Sequence, residues 1–196
     1  MKTFRAFGPT IGKGKLSNKF INLINLQIEK SILSKKNDYS SKLASQIKNE
    51  IRLPSSFIKK SLSKELIRNI KIYLKKSEIN NVKEIKIIKL LVVKQLKNEY
   101  NPIHYHHGQV SGVGYLKIPK NMNDNKMVKN KKIKTNGTID FINGQKGFLS
   151  QSIYNLNPKI GDLLLFPNYL MHTAYPFNIE AERRSFSFNV KILFKK

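Results

Sequence analysis

The sequence predicts an α+β fold in which a helical N-terminal half supports a β-sandwich or barrel. Two observations carry this. Apolar residues recur at helical spacing up to about Lys76 and change at Val82 to the alternation of strands. From there, short runs rich in valine, isoleucine and phenylalanine follow one another, separated by turn residues. A length of 196 residues suits a single domain with a sizeable core. We expect residues 1–80 to be mainly helical support and residues 82–196 to form the β core.

Residues 1–16 carry Gly8, Pro9, Gly12 and Gly14 and read as an irregular or edge segment. Ser17 is the predicted cap of a helix to about Ile32, with Phe20, Ile24 and Ile28 on one face. Residues 34–41 are polar and read as a loop. Leu43, Ile47 and Ile51 predict a short helix that Pro54 and the serines after it break. The clearest helix starts at Ser61 or Ser63 and runs to about Lys76, burying Leu62, Leu66, Ile70 and Tyr73 or Leu74. Strands are expected at 84–93, 110–118, 138–142, 151–156, 163–166 and 183–193. Gly112 and Gly114 mark backbone that something approaches closely. Residues 121–134 are lysine-rich and without period, and form the candidate lid or substrate-contacting loop.

Composition excludes several classes. With no cysteine there is no disulfide framework, zinc ribbon or thiol nucleophile, so any metal is held by nitrogen and oxygen. Such ligands suit iron, manganese or nickel at least as well as zinc. No apolar run approaches bilayer length, and the first twenty residues lack a continuous apolar stretch. No secretory leader is expected, and the predicted location is cytoplasmic, in the host cytoplasm if the protein is phage-encoded. The net charge of +25 favours nucleic acid or another anionic partner. Nearly all of that charge is lysine in a chain also rich in asparagine and isoleucine, a bias that AT-rich coding produces without any binding role.

All four histidines fall in two stretches. His104, His106 and His107 lie in Asn101-Pro-Ile-His-Tyr-His-His107, and His172 closes Gly161-Asp-Leu-Leu-Leu-Phe-Pro-Asn-Tyr-Leu-Met-His172. Strand alternation lets His104 and His106 face one point with Tyr105 turned away. His172 reads as delivered at the end of another strand. Taken alone, the first stretch is equally a polar loop. Along the last strand Arg183, Ser185, Ser187 and Asn189 share one face, and Arg184, Phe186, Phe188 and Val190 the other. An arginine with a hydroxyl two residues on can grip a carboxylate in a cavity. The alternative is an exposed edge strand.

As an ordered set these stretches resemble the Fe(II)- and 2-oxoglutarate-dependent dioxygenase superfamily, nearest a bacterial and phage branch close to prolyl-hydroxylase-like enzymes. The motifs are Asn101 to His106, Ser111-Gly-Val-Gly-Tyr115, Gly161 to His172, and Arg183 to Asn189, so the resemblance covers about residues 85–190. It implies a double-stranded β-helix, or jelly roll, with helices on one sheet. It implies that His104, His106 and His172 hold Fe(II), and that Arg183, with Ser185 and Tyr115, holds the distal carboxylate of 2-oxoglutarate. Arg184 is the second choice. The implied reaction is hydroxylation of a macromolecular substrate, a protein side chain or a nucleobase, with release of succinate and CO2. The superfamily's usual triad is His-x-Asp or His-x-Glu with a distant histidine, and here His106 stands at the carboxylate position. His107 is the alternative ligand. His106-His107-Gly108 also parallels the His-x-Gly of iron halogenases, with chloride in the open place. The rival reading is a basic, non-enzymatic jelly-roll module that binds nucleic acid and keeps a vestigial metal site.

Overall fold

The computed structural model describes residues 1–5, 8–32, 38–40, 45–122 and 135–195. Most of the polar loop expected at 34–41 and of the lysine-rich stretch at 121–134 lies outside the described residues.

Eleven strands form two antiparallel sheets among the described residues. The chain opens with β1 (Lys2–Arg5) and β2 (Thr10–Lys15), a hairpin, followed by α1 (Asn18–Ile32) and β3 (Asn49–Arg52). A helical stretch comes next: α2 (Ser55–Phe57), a π-helical segment Ile58–Leu62, and α3 (Ser63–Lys76). The remaining strands are β4 (Val82–Gln95), β5 (Asn101–His104), β6 (Val110–Lys117), β7 (Ile139–Ile142), β8 (Ile153–Leu156), β9 (Asp162–Pro167), β10 (Met171–Ala174) and β11 (Arg183–Phe194). The large sheet runs β1-β2-β9-β6-β11-β4-β3, and the small sheet β5-β10-β7-β8.

Three expectations are corrected. Of the irregular or edge segment expected over 1–16, β1 does form the sheet edge, but β2 is an interior strand, paired with β1 and β9. Its glycines hid it from a hydrophobicity pattern, yet they admit neighbours, since a Cβ on Gly12 would lie 2.6 Å from the Tyr73 ring. The helix expected over 43–51 is absent where that stretch is described. Residues 49–52 pair with Asn49↔Lys94 through Arg52↔Leu91 as an added strand, because the exposed β4 edge offers hydrogen bonds that a short isolated helix cannot match. Helix also begins at Ser55, directly after Pro54, so the proline opens the helical stretch rather than only ending what precedes it.

Other expectations hold. Ser17 caps α1: its Oγ accepts from the Phe20 N–H at 3.1 Å, and the Glu65 carboxylate of α3 takes both the Ser17 N–H and hydroxyl. Helices α1 and α3 pack Phe20, Ile24, Ile28, Leu66 and Ile70 on one face of the large sheet, against Phe186, Phe188 and Val190. A second core lies between the sheets, with Tyr115, Phe141, Leu164 and Phe166. What approaches Gly112 and Gly114 is aromatic: Gly112 pairs with Phe188 and Gly114 with Phe186, and a Cβ on either would fall 2.3 Å from the facing ring. No helix among the described residues is long and apolar enough to cross a membrane.

Candidate metal centre

His104 on β5 and His172 on β10 are directly paired residues of neighbouring antiparallel strands, so their side chains leave the small sheet on one face. His172 therefore does not end the strand Leu163–Phe166 as expected. The chain turns after β9 and delivers it from the next strand. His106 follows two residues after His104, past the end of β5. Asn168 fixes it there: the His106 N–H donates to the Asn168 carbonyl at 3.0 Å, and the Asn168 amide donates to the His106 carbonyl at 3.0 Å.

The three rings converge. His106 Nε2 lies 3.1 Å from His172 Nε2, and one ring nitrogen of each histidine lies within 4.8 Å of the others. His104 Nδ1 donates to the Pro102 carbonyl at 2.7 Å and His172 Nδ1 to the Leu170 carbonyl at 3.0 Å. A carbonyl only accepts, so both Nδ1 atoms carry the proton and both Nε2 atoms present a lone pair. The Phe166 ring meets His172 edge-on with centroids 5.0 Å apart. Burial, reinforced by the neighbouring imidazoles, pushes His106 down to about 4 and His172 to about 3. Burial lowers His104 as well. At neutral pH the cluster is thus uncharged and ready to ligate. His107 is exposed and stands outside it.

Arg183 opens β11 beside Gln95 of β4 and is buried. Its Nη1 donates to the Gly137 carbonyl at 2.6 Å, while its Nε has no partner. No carboxylate among the described residues pairs with it, and burial pulls its guanidinium below the ordinary value. Ser185, two residues on, pairs in the sheet with Tyr115 of β6. Burial pushes the Tyr115 hydroxyl up to about 12 against the opposing pull of Arg183. Arg184 points the other way, into ion pairs with Glu182 at 2.6 Å and Glu29 at 2.9 Å. The alternation along β11 is therefore as expected, and it removes Arg184 as a candidate.

One cavity of about 420 Å³ is lined by the three histidines, Arg183, Ser185 and Tyr115. Glu50 also lines it, a carboxylate that was not legible beforehand because its segment reads as helix. Among the described residues it is the one carboxylate in that lining, accepting from the Ser45 hydroxyl at 2.5 Å, and burial raises its pKa.

Over residues 90–189 the chain matches the family described as "Putative 2OG-Fe(II) oxygenase", and it belongs to that family. No curated protein sequence matches it. Its fold is similar to that of several solved structures. The viral collagen prolyl hydroxylase of Paramecium bursaria Chlorella virus-1, in complex with 2-oxoglutarate, aligns with TM-score 0.59 at 15% identity, covering 95% of this chain and 98% of that one. A prolyl-4-hydroxylase of Pseudomonas putida aligns with TM-score 0.57 at 11% identity, covering 95% and 93%. Iron-bound HygX of Streptomyces hygroscopicus aligns with TM-score 0.55 at 11% identity, covering 95% and 82%.

The enzyme is thus an oxygenase whose cofactors are Fe(II) and 2-oxoglutarate. Its residues fit both groups. Three neutral imidazoles aimed at one point are a donor set for a divalent first-row metal. A buried guanidinium with a partnerless Nε is a receptor for a carboxylate.

Proposed function

We propose that His104, His106 and His172 hold Fe(II), that Arg183 with Tyr115 and Ser185 holds the distal carboxylate of 2-oxoglutarate, and that the enzyme hydroxylates a macromolecular substrate, a protein side chain or a nucleobase. We assign the two antiparallel sheets to a double-stranded β-helix. The similarity to structures named as prolyl hydroxylases supports a protein side chain among these substrates.

The observation that carries the proposal is the pairing of opposites in one cavity. Three imidazoles offer lone pairs at one end, and a buried cation with no carboxylate partner among the described residues waits beside them. Bound iron supplies the oxidation: dioxygen and 2-oxoglutarate are consumed, succinate and CO2 are released, and one oxygen atom enters a substrate C–H bond. The chain's own residues bind and orient. The carbonyls of Pro102 and Leu170 lock two rings in the tautomer that ligates through Nε2. Arg183 can grip both oxygens of a carboxylate, and Tyr115, held protonated, can donate a further hydrogen bond. Phe166 walls the iron end against water. A binding module with a vestigial site has no use for such an arrangement.

The test is conversion of 2-oxoglutarate to succinate by the Fe(II)-loaded protein. Slow turnover without substrate is expected in the wild type and none in His172→Ala. Equal turnover in both proteins would overturn the assignment.

A further inference from the structure

No helix residue enters the core between the sheets among the described residues, and the outer face of the small sheet carries a polar row of Thr173, Asp140 and Asn155 beside an apolar row at the end where the histidines emerge. Alternation that turns His104 inward turns Ile103 and Tyr105 outward, and these two line the cavity mouth while remaining 60% and 65% exposed. Met171, beside His172, is 43% exposed. It is paired in one cross-strand row with Ile142, which is paired in turn with Ile153, 52% exposed. The connection from β7 to β8 continues beyond that row and turns at Phe148 and Leu149, which are 99% and 92% exposed.

Register gives the direction of this track. Ile142 ends β7 where Met171 begins β10, and β5 ends at His104 opposite His172. The hairpin tip therefore projects past the same end of the sheet at which the histidines emerge. The track starts at the cavity mouth and runs to the tip.

Its chemistry is unlike the rest of the chain. A quarter of all residues are charged, yet over 101–109, 143–152 and 169–174 the one charged residue is Lys146. Aromatic residues and methionine without charge are the composition of a protein-binding core. The exposed cations Lys64, Arg68, Lys71 and Lys75 lie on α3, whose helix packs on the opposite face of the large sheet from the cavity. Among the described residues the cations lining the cavity are Arg183, buried inside, and Lys89, which lies over the Tyr39 ring, so a nucleic-acid substrate entering this mouth would meet few of the phosphate contacts it needs.

We propose that this track is the docking surface for a polypeptide substrate, whose apolar side chains seat between Tyr105 and the Phe148-Leu149 tip while the residue to be oxidised enters the cavity. The inference rests on the oxygenase reading above and selects the protein side chain from its two substrate classes.

The test pans a phage-displayed random-peptide library on the protein loaded with Mn(II) and 2-oxoglutarate. Enriched peptides are then added to the Fe(II) enzyme. The expected result is enrichment of peptides with spaced apolar residues that stimulate succinate formation. Phe148→Ser/Leu149→Ser should bind them about ten-fold more weakly, the loss of one or two anchor contacts, with unchanged succinate formation in the absence of peptide. Equal binding by that variant, no enrichment, or stimulation by single-stranded oligonucleotides instead of peptides would overturn the docking surface. Wild-type enzyme that makes no succinate at all would contradict the oxygenase assignment, and the peptide-binding comparison would still decide the docking surface.

Discussion

His106 Nε2 and His172 Nε2 lie 3.1 Å apart across the cavity, brought together from positions 66 residues apart in the chain. Two nitrogens at that distance, both flanked by His104, converge on one point. His107, one residue further, does not reach it. His106→Ala should therefore weaken Fe(II) or Co(II) binding on the order of 100-fold or more, a ligand counting for at least as much as an outer-shell partner. His107→Ala should leave it within about two-fold. Isothermal titration of Co(II) separates the two, and equal losses would contradict the assignment of His106.

Arg183 carries an opposed pair of consequences. Its burial without a carboxylate partner among the described residues stresses the unliganded fold, since an unpaired buried charge is destabilising. Arg183→Met should keep or raise the thermal midpoint of the unliganded protein while abolishing the stabilisation that 2-oxoglutarate gives the wild type. Arg183→Lys should raise the KM for 2-oxoglutarate by roughly 10- to 100-fold, the worth of a lost charge-assisted bond. Differential scanning fluorimetry and a succinate assay check the two halves.

The sheet core makes a prediction remote from catalysis. Gly112→Ala and Gly114→Ala would press a methyl group into Phe188 and Phe186. Each should cost about 1–3 kcal/mol by overpacking. Gly112→Ala/Phe188→Leu should recover part of that, which urea unfolding of the single and double variants would show.

Acid should act through the cluster with a definite sign. The folded protein holds His106 near 4 and His172 near 3, and holds His104 below its ordinary value, mainly through burial. Unfolded imidazoles protonate near 6.5. Between those limits the unfolded chain binds more protons, so stability is full above about pH 6.5 and falls with pH until the folded values are reached. Bound metal should shift that fall to lower pH. Thermal midpoints measured from pH 8 to 4, with and without Co(II), would reveal it, and a metal-free midpoint that rises on acidification would contradict it.

Much of the site was legible because its signals are local. Strand alternation placed Arg183, Ser185, Ser187 and Asn189 on the cavity face and Phe186 and Phe188 on the helix face. The spacing of His104 and His106 gave their common direction. Long-range pairing was not legible. Strand β3 exists because the edge of β4 is available to it, and β2 because Gly12 and Gly14 admit Tyr73 and Met1. Neither fact is written in the period of its own residues. Glu50 was missed with β3, and the Gly137 carbonyl that receives Arg183 comes from a turn 46 residues away.

The most direct measurement is an anaerobic titration of Fe(II) into the protein with 2-oxoglutarate, following the visible charge-transfer band of the chelate. The wild type should develop the band. It should be lost in His104→Ala, His106→Ala and His172→Ala, retained in His107→Ala, and require more 2-oxoglutarate in Arg183→Lys. No band in the wild type, or one that survives removal of His172, would contradict the placement of iron and 2-oxoglutarate in this cavity.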